Sequence, residues 1–398
     1  MLGIVKAKGA VLFDEHGKEY IDAISSWYTS VYGHCNDAII AKVYAQMQQL
    51  DQVVFSGFTH EPAIALSEAL ISLLPENQEK LFFSDNGSTA TEIGIKMALQ
   101  YHHNLGKKRS VLMAFEDGFH GDTFGAMSVS GLSVYNGPFE DYFIEVKRIP
   151  VPTDANLEGL LHELENTMDL DAVAGFIYEP LVQGAAAMKM HKAEHLEKIL
   201  KVIKSHGVLA IADEVMTGFG KTGRHFASDY MTEKPDIICM SKALTAGMLP
   251  MAVTSCTQNV YDAFYSDDIA KGLFHGHTYT ANPLACAAAL AGIELLKSEE
   301  IQKNIGQIIQ WHQEFDAQIK DHPKVAATRQ TGIIYALDLN IVMERYGNVR
   351  DKLFQHFMDA GVFLRPLGNT IYISAPYIIT KDQMQRIYDS IRDVLEKF

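Results

Sequence analysis

The chain is poor in cysteine, in tryptophan and in net positive charge, and each shortage excludes something. Its 398 residues hold four cysteines and two tryptophans. Cys35, Cys239, Cys256 and Cys286 are widely spaced and form no CxxC pair. That spacing speaks against a disulfide framework and for buried, reduced thiols in a cytoplasmic protein. The formal charge is −15, from 34 basic and 49 acidic residues. An acidic surface disfavours nucleic acid and anionic membrane as partners, although one pocket can still be locally positive. No apolar run reaches the ~18 residues of a membrane span. The start, MLGIVKAKGA, lacks the apolar centre of a signal peptide. Internal repeats, low-complexity tracts and long linkers are missing as well.

What is present is a globular composition, 47% hydrophobic and 21% charged. The length exceeds one ordinary core, so two domains are expected. AVLFDEHGKEYIDAI reads as a hairpin that turns at Gly17. SSWYTSVYGH follows, aromatic and irregular, and fits either a packing plug or a pocket wall. From about residue 62 to 290, strand, loop and helix repeat. Strands are expected at 80–84, 110–115, 172–178, 207–212 and 236–240. Over 192–206, Leu196, Ile199, Leu200 and Ile203 recur at helical spacing until Gly207. This alternation predicts an α/β fold with a mostly parallel sheet and helices on both faces.

After about 290 the texture becomes α+β. A long helix is expected over about 284–320, then a strand at TGIIYALDL and a helix over 349–360. Strands near 362–365 and 370–374 precede a last helix opened by a capping box at Thr380 and Gln383. Neither terminal piece has much core alone, so the hairpin is expected to pack with the C-terminal part. The expected division is a small α+β domain from 1–40 and 290–398 and a large domain from 41–289.

Three apolar runs end abruptly in residues suited to chemistry. GVLAIADEV ends at Asp213, DIICMSKAL at Ser241-Lys242, and LFFSDNGSTATE at Gly87-Ser88. Open sheets present the carboxyl ends of their strands to the ligand crevice. An acid, a lysine and an anion nest at such ends are what a pyridoxal phosphate site needs. Desolvation behind Ile237–Met240 would lower the amine pKa of Lys242 and make it nucleophilic. Read alone, Lys242 fits a snorkelling lysine better, and Asp213 a cap or structural ion pair. Together they gain meaning. A carboxylate ~4 Å from a pyridinium contributes ~4 kcal/mol at an effective dielectric near 20, about three pKa units. That keeps the ring nitrogen protonated and the ring an electron sink. Thr89 with Glu92 reads as a capping box on the helix TATEIGIKMALQY, whose unpaired amides attract phosphate.

Two patterns mislead. Gly218–Gly223, GFGKTG, matches GxGxxG and contains GKT. A P-loop would need glycine where Val215 stands. A dinucleotide site needs its glycines directly after a strand, and Asp213-Glu214-Val215 intervene. A turn beside the acid is expected, without nicotinamide. The HGH at 275–277 lacks further nearby ligands, so no metal is expected.

IADEVMTGFGKTGR with SKALTAG resembles the class III (ω-type) aminotransferases of the fold-type I pyridoxal phosphate enzymes. DNGSTATE, GFHGDTFGAMS, EPLVQGAAAM and HTYTANPLACAAA fit the same family. SSWY, FSGFTHEPA, VQGAAAMKM, LRPLGNTIY and APYII are similar to its biotin-synthesis branch. The resemblance implies pyridoxal 5'-phosphate as cofactor, imine formation by Lys242 and pairing of Asp213 with the pyridine nitrogen. It implies Gly87 and Ser88 at the phosphate, Phe119 and Val215 on the two ring faces, and Glu179 and Gln183 near the ring hydroxyl. Thr278 would reach the phosphate of a neighbouring subunit, which makes the active unit a homodimer. Trp27 and Tyr28 would wall the substrate channel, and Arg365 would bind the substrate carboxylate. From the residues alone, Phe119 fits a ring cover or a core position, and the Arg365 guanidinium needs a carboxylate from substrate or protein. The implied reaction takes an amino group from S-adenosylmethionine to 8-amino-7-oxononanoate, giving 7,8-diaminononanoate. Another amine, such as a β-amino acid or a diamine, stays open. A non-catalytic cofactor-binding scaffold would not need both Lys242 and Asp213 intact.

Overall fold

The computed structural model describes residues 2–133, 136–341 and 348–398. Its largest sheet has seven strands, in the order Lys80–Ser84, Ala252–Cys256, Ile237–Met240, Leu209–Asp213, Val173–Tyr178, Val111–Phe115 and Val146–Ile149. Six share one direction, and Ala252–Cys256 runs against its two neighbours. The four central strands from Ile237–Met240 to Val111–Phe115 are buried at every position. Helices on both faces explain their continuous apolar runs. The antiparallel strand Ala252–Cys256 was not anticipated. AVTSC places adjacent threonine and serine inside a small apolar run, and both are buried.

Helix Gly87–Asn104 lies on this sheet. Gly94 permits the approach, since a Cβ there would meet Cys239 Sγ at 3.1 Å and Ile211 Cγ2 at 3.3 Å. The helix starts earlier than its sequence suggests. Asn86 is the N-cap and exchanges bonds with Thr89 in a capping box, in place of the expected Thr89–Glu92 pair. Glu92 instead accepts from Thr123 Oγ1, Gly125 N and Ala126 N, and so caps the neighbouring helix Phe124–Val129.

The chain termini share a second sheet. Ile4–Lys8, Val11–Asp14 and Glu19–Asp22 pair antiparallel, and Val362–Phe363 joins Glu19–Asp22 in parallel. A third sheet holds Val325–Thr331, Ile334–Leu339 and Thr370–Ile373. Three expectations need correction here. The long helix of 284–320 is two helices, Pro283–Leu296 and Glu299–Ile319. Ser298 accepts from Ile301 N, and Glu299 and Glu300 favour a new N-terminus. TGIIYALDL is divided by a turn at Gly332, φ +58°, rather than forming one strand. The strand expected to reach Arg365 stops at Phe363. The last helix, Lys381–Lys397, carries the expected Thr380–Gln383 capping box.

All four cysteines are unpaired, and three are buried, but Cys35 is exposed. It occupies a left-handed loop position, φ +50°, which turns its side chain from the core. Among the described residues no helix is long and apolar enough to cross a membrane. The close contact at Gly94 predicts that Gly94→Val overpacks the helix–sheet interface. The expected cost is ~1–3 kcal/mol, read as a lower urea midpoint; an unchanged midpoint would show that the interface tolerates the added bulk.

Candidate active site

Strand ends deliver the first group of side chains. Asp213 is the last residue of its strand and is buried. Its Oδ2 accepts from His120 Nδ1 at 2.7 Å, and its Oδ1 accepts from Val215 N at 3.0 Å. His120 is buried too, its backbone N donates to Ser130 Oγ at 2.9 Å, and its Nε2 has no partner among the described residues. Lys242 sits two residues beyond Ile237–Met240 with φ +48°. Burial pulls its amine below the ordinary lysine value, and the charges of Asp213 and Glu179 oppose this. Its Nζ lies 5.0 Å from the centre of the Tyr28 ring.

Glu179 follows Val173–Tyr178 and accepts from Phe119 N at 3.0 Å and Gly184 N at 2.9 Å. Burial pushes its pKa up to about 7. Gln183 donates through Nε2 to Glu116 O at 3.0 Å, while its buried Oε1 has no partner among the described residues. Thus hydrogen bonds and charge effects link Asp213, Lys242, Glu179, Gln183 and the Phe119 loop into one cluster.

The helix start completes it. The amides of Gly87 and Ser88 have no hydrogen-bond partner among the described residues. A Cβ on Gly87 would meet Val215 Cγ1 at 2.8 Å, and one on Gly121 would meet Ser88 Oγ at 2.2 Å. Val215, Gly87, Ser88 and Gly121 therefore touch. Phe119 is 44% exposed, so it is not the core residue that its sequence also allowed. Free amides at a helix start, a carboxylate at a strand end, a desolvated amine and the orphaned Gln183 Oε1 are the donor set that pyridoxal phosphate requires. The residues present fit that group.

The wall of the crevice comes from the N-terminus. Ser25, Ser26, Trp27 and Tyr28 have φ of +48°, +45°, +68° and +73°. A left-handed turn of L-residues costs about 1–2 kcal/mol per residue. It turns Tyr28 inward, 6.1 Å from Tyr372 between ring centres, and leaves Trp27 60% exposed. The Arg365 guanidinium lies 5.2 Å from the Trp27 ring centre. Among the described residues no carboxylate pairs with Arg365. Thr278 stands apart. It is exposed, and no described contact joins its side chain to this cluster; its carbonyl accepts from Gln52 Nε2 at 2.7 Å.

Sequence reasoning missed His120, whose only signal is a histidine after an aromatic in GFHG. It also missed Glu214. This residue is buried and accepts from Thr217 Oγ1, Ala227 N, Ser228 N and Ser228 Oγ, and burial pushes its pKa up to about 7. GFGKTG forms turns beside the acid, as expected. Lys221 within it is fully buried, and among the described residues its Nζ donates to Gly218 O alone, at 3.4 Å.

Residues 1–395 match the family described as aminotransferase class-III. A relative from Synechococcus elongatus, named adenosylmethionine-8-amino-7-oxononanoate aminotransferase, is 43% identical and is matched over 100% of this chain and 95% of its own. A crystal structure of the Methanocaldococcus jannaschii protein of that name is 31% identical, with a TM-score of 0.94, covering 100% of this chain and 93% of its own. A PLP-bound amine transaminase from an uncultivated Pseudomonas species is 27% identical, also with a TM-score of 0.94, over 100% of this chain and 95% of its own.

The raised carboxyl pKa values have a measurable consequence. Folded, Glu179 and Glu214 keep their protons to about pH 7, whereas both ordinarily lose them near 4.5. Stability therefore falls as pH rises through this window. Urea midpoints of Glu214→Gln are expected to fall less than wild type between about pH 5 and about 7.5. An equal fall would remove Glu214 as a source.

Proposed function

The chain belongs to the class-III aminotransferase family, and we propose that it transfers the amino group of S-adenosylmethionine to 8-amino-7-oxononanoate, giving the 7,8-diaminononanoate of biotin synthesis. The cofactor is pyridoxal phosphate, which when bound supplies a conjugated electron sink for the carbon that loses its proton. The observation that carries the proposal is the meeting of Lys242 with the His120-bound Asp213 at neighbouring strand ends.

The chain's own groups divide the work. The Gly87 and Ser88 amides and the helix dipole hold the phosphate. Asp213 keeps lone pairs free for the pyridine nitrogen, and His120 fixes its orientation. Phe119 and Val215 cover the two ring faces, with Glu179 and Gln183 on the hydroxyl side. Lys242 carries the proton to and from substrate carbon, a task its desolvated amine suits. Trp27 and Tyr28 line the path of the aliphatic chain, and Arg365, which has no carboxylate partner among the described residues, receives the substrate carboxylate.

Thr278 is assigned to the phosphate site of a second copy, which makes the functional unit a homodimer. Its exposure beside Phe274 and Tyr279, 70% and 64% exposed, supports this. The proposal extends to a small domain of 1–40 and 290–398, a large domain of 41–289, and a cytoplasmic setting. Transfer from another amine, a β-amino acid or a diamine, is the second reading. It is favoured by the equal overlap with the Pseudomonas amine transaminase.

Purified enzyme assayed with S-adenosylmethionine and 8-amino-7-oxononanoate is expected to form the diamine; no turnover with this pair, but turnover with another amine, selects the second reading. Lys242→Ala should fold with an unchanged thermal midpoint and lose transamination to background. Arg365→Ala should raise KM for the oxononanoate roughly 10- to 100-fold, the worth of one charged hydrogen-bonding partner. An unchanged KM would release Arg365 from that role.

A further inference from the structure

The left-handed turn at Ser25–Tyr28 carries backbone bonds of its own, Tyr28 N to Ile24 O at 2.9 Å and Thr29 N to Ser25 O at 2.8 Å, and a side-chain brace from outside the site adds to them. Asp22 is 0% exposed, yet among the described residues no lysine or arginine pairs with it. Its oxygens are spent on the turn. Oδ1 accepts from Ile24 N at 3.2 Å, and Oδ2 accepts from Ser26 Oγ at 2.8 Å and from His34 Nε2 at 2.8 Å. A carboxylate offers only lone pairs, so His34 Nε2 is the donor. Ser26 Oγ is 3.4 Å from the same nitrogen, which closes a three-membered cluster.

His34 is itself anchored. Its backbone exchanges bonds with Gly9, His34 N to Gly9 O at 2.7 Å and Gly9 N to His34 O at 3.0 Å. Gly33 before it has φ +80°, and a Cβ there would meet Ile378 Cδ1 at 2.9 Å. The imidazole therefore presents a fixed donor. Other ties reach the exit and the entrance of the turn: Thr29 Oγ1 donates to Ser26 O at 3.1 Å. Ala23 N donates to Phe363 O at 3.0 Å, and Ser25 Oγ donates to Ser374 O at 2.7 Å. Among the described residues the Asp22–His34 pair is what grips the Ser26 side chain, just ahead of Trp27 and Tyr28.

We propose that Asp22 and His34 are positioning residues of the active site, which act by holding the left-handed turn that sets Tyr28 against Lys242 and Trp27 against Arg365. This rests on the site assignment above. Loss of the brace frees the backbone to relax toward right-handed φ, and both aromatic rings then leave their partners.

The chain's tryptophan content makes the test direct. Trp311→Phe leaves Trp27 as the sole tryptophan. In this background Asp22→Asn and His34→Gln are prepared as holoenzymes and compared by Trp27 emission, thermal midpoint and steady-state kinetics. The expected result is a red-shifted, more readily quenched Trp27. KM for the carboxylate-bearing acceptor that the parent enzyme uses should rise about tenfold, roughly 1.4 kcal/mol of lost positioning. His34→Gln retains an amide donor and should show the smaller change. A folded Asp22→Asn enzyme in which either the emission or KM is unchanged overturns the proposal. Should both variants fail to fold, Ser26→Ala, which removes the hydroxyl shared with Asp22 and His34, decides on the same two readouts. Emission is read on resting enzyme, so inactivity toward the oxononanoate would refute the substrate assignment and leave the brace testable.

Discussion

A carboxylate taken out of water must find donors, and Asp213 finds one in His120 at 2.7 Å. Much of the crevice is arranged around this contact. It draws the loop after Val111–Phe115 onto the end of Leu209–Asp213, across the intervening strand. That placement lays the Phe119 amide on Glu179 and brings Gly121 onto Ser88. Asp213, Phe119 and Ser88 thus share one geometric origin. Apolar strands supply rigidity beneath them, and the polar groups are confined to the rim where the strands stop.

The legible part of the site was local. Lys242, Asp213 and Gly87-Ser88 each end an apolar run, and a run that stops in a polar or charged residue is visible without knowing what it meets. Partners from distant segments were not visible. His120 lies 93 residues from Asp213, and nothing near it in sequence names its acceptor. The backbone of Ser25–Tyr28 was equally hidden, because two serines and two aromatics carry no preference for positive φ. The fold followed the same rule. Continuous apolar strands were found to within a few residues, while small, polar Ala252–Cys256 was not. The break at Ser298 carries a cap pattern, Ser-Glu-Glu, masked by helical spacing on both sides.

Unfavourable backbone recurs around the candidate site. Besides the Ser25–Tyr28 turn, positive φ occurs at Asp117, Leu181, Ala187, Met188, Phe219, Lys242 and Ala246, and away from this group at Cys35 and Ala281. Most flank a strand end or its following loop. Such geometry persists only when surroundings over-determine it. Arg329 shows how: it binds Asp338 on the next strand and the carbonyls of Ala187 and Met188, pinning the loop beyond Gln183 to the C-terminal sheet.

The bond from Ser25 to the carbonyl of Ser374 spans 349 positions. A ribosome adding about 5–20 residues per second needs on the order of 20–70 s to pass from one to the other. During translation the central sheet can assemble first, but the N-terminal wall of the pocket waits for a segment emerging near termination. A nascent chain therefore carries the lysine and its acid well before the crevice is closed, and a truncated product ending short of Ser374 would expose a half-walled site.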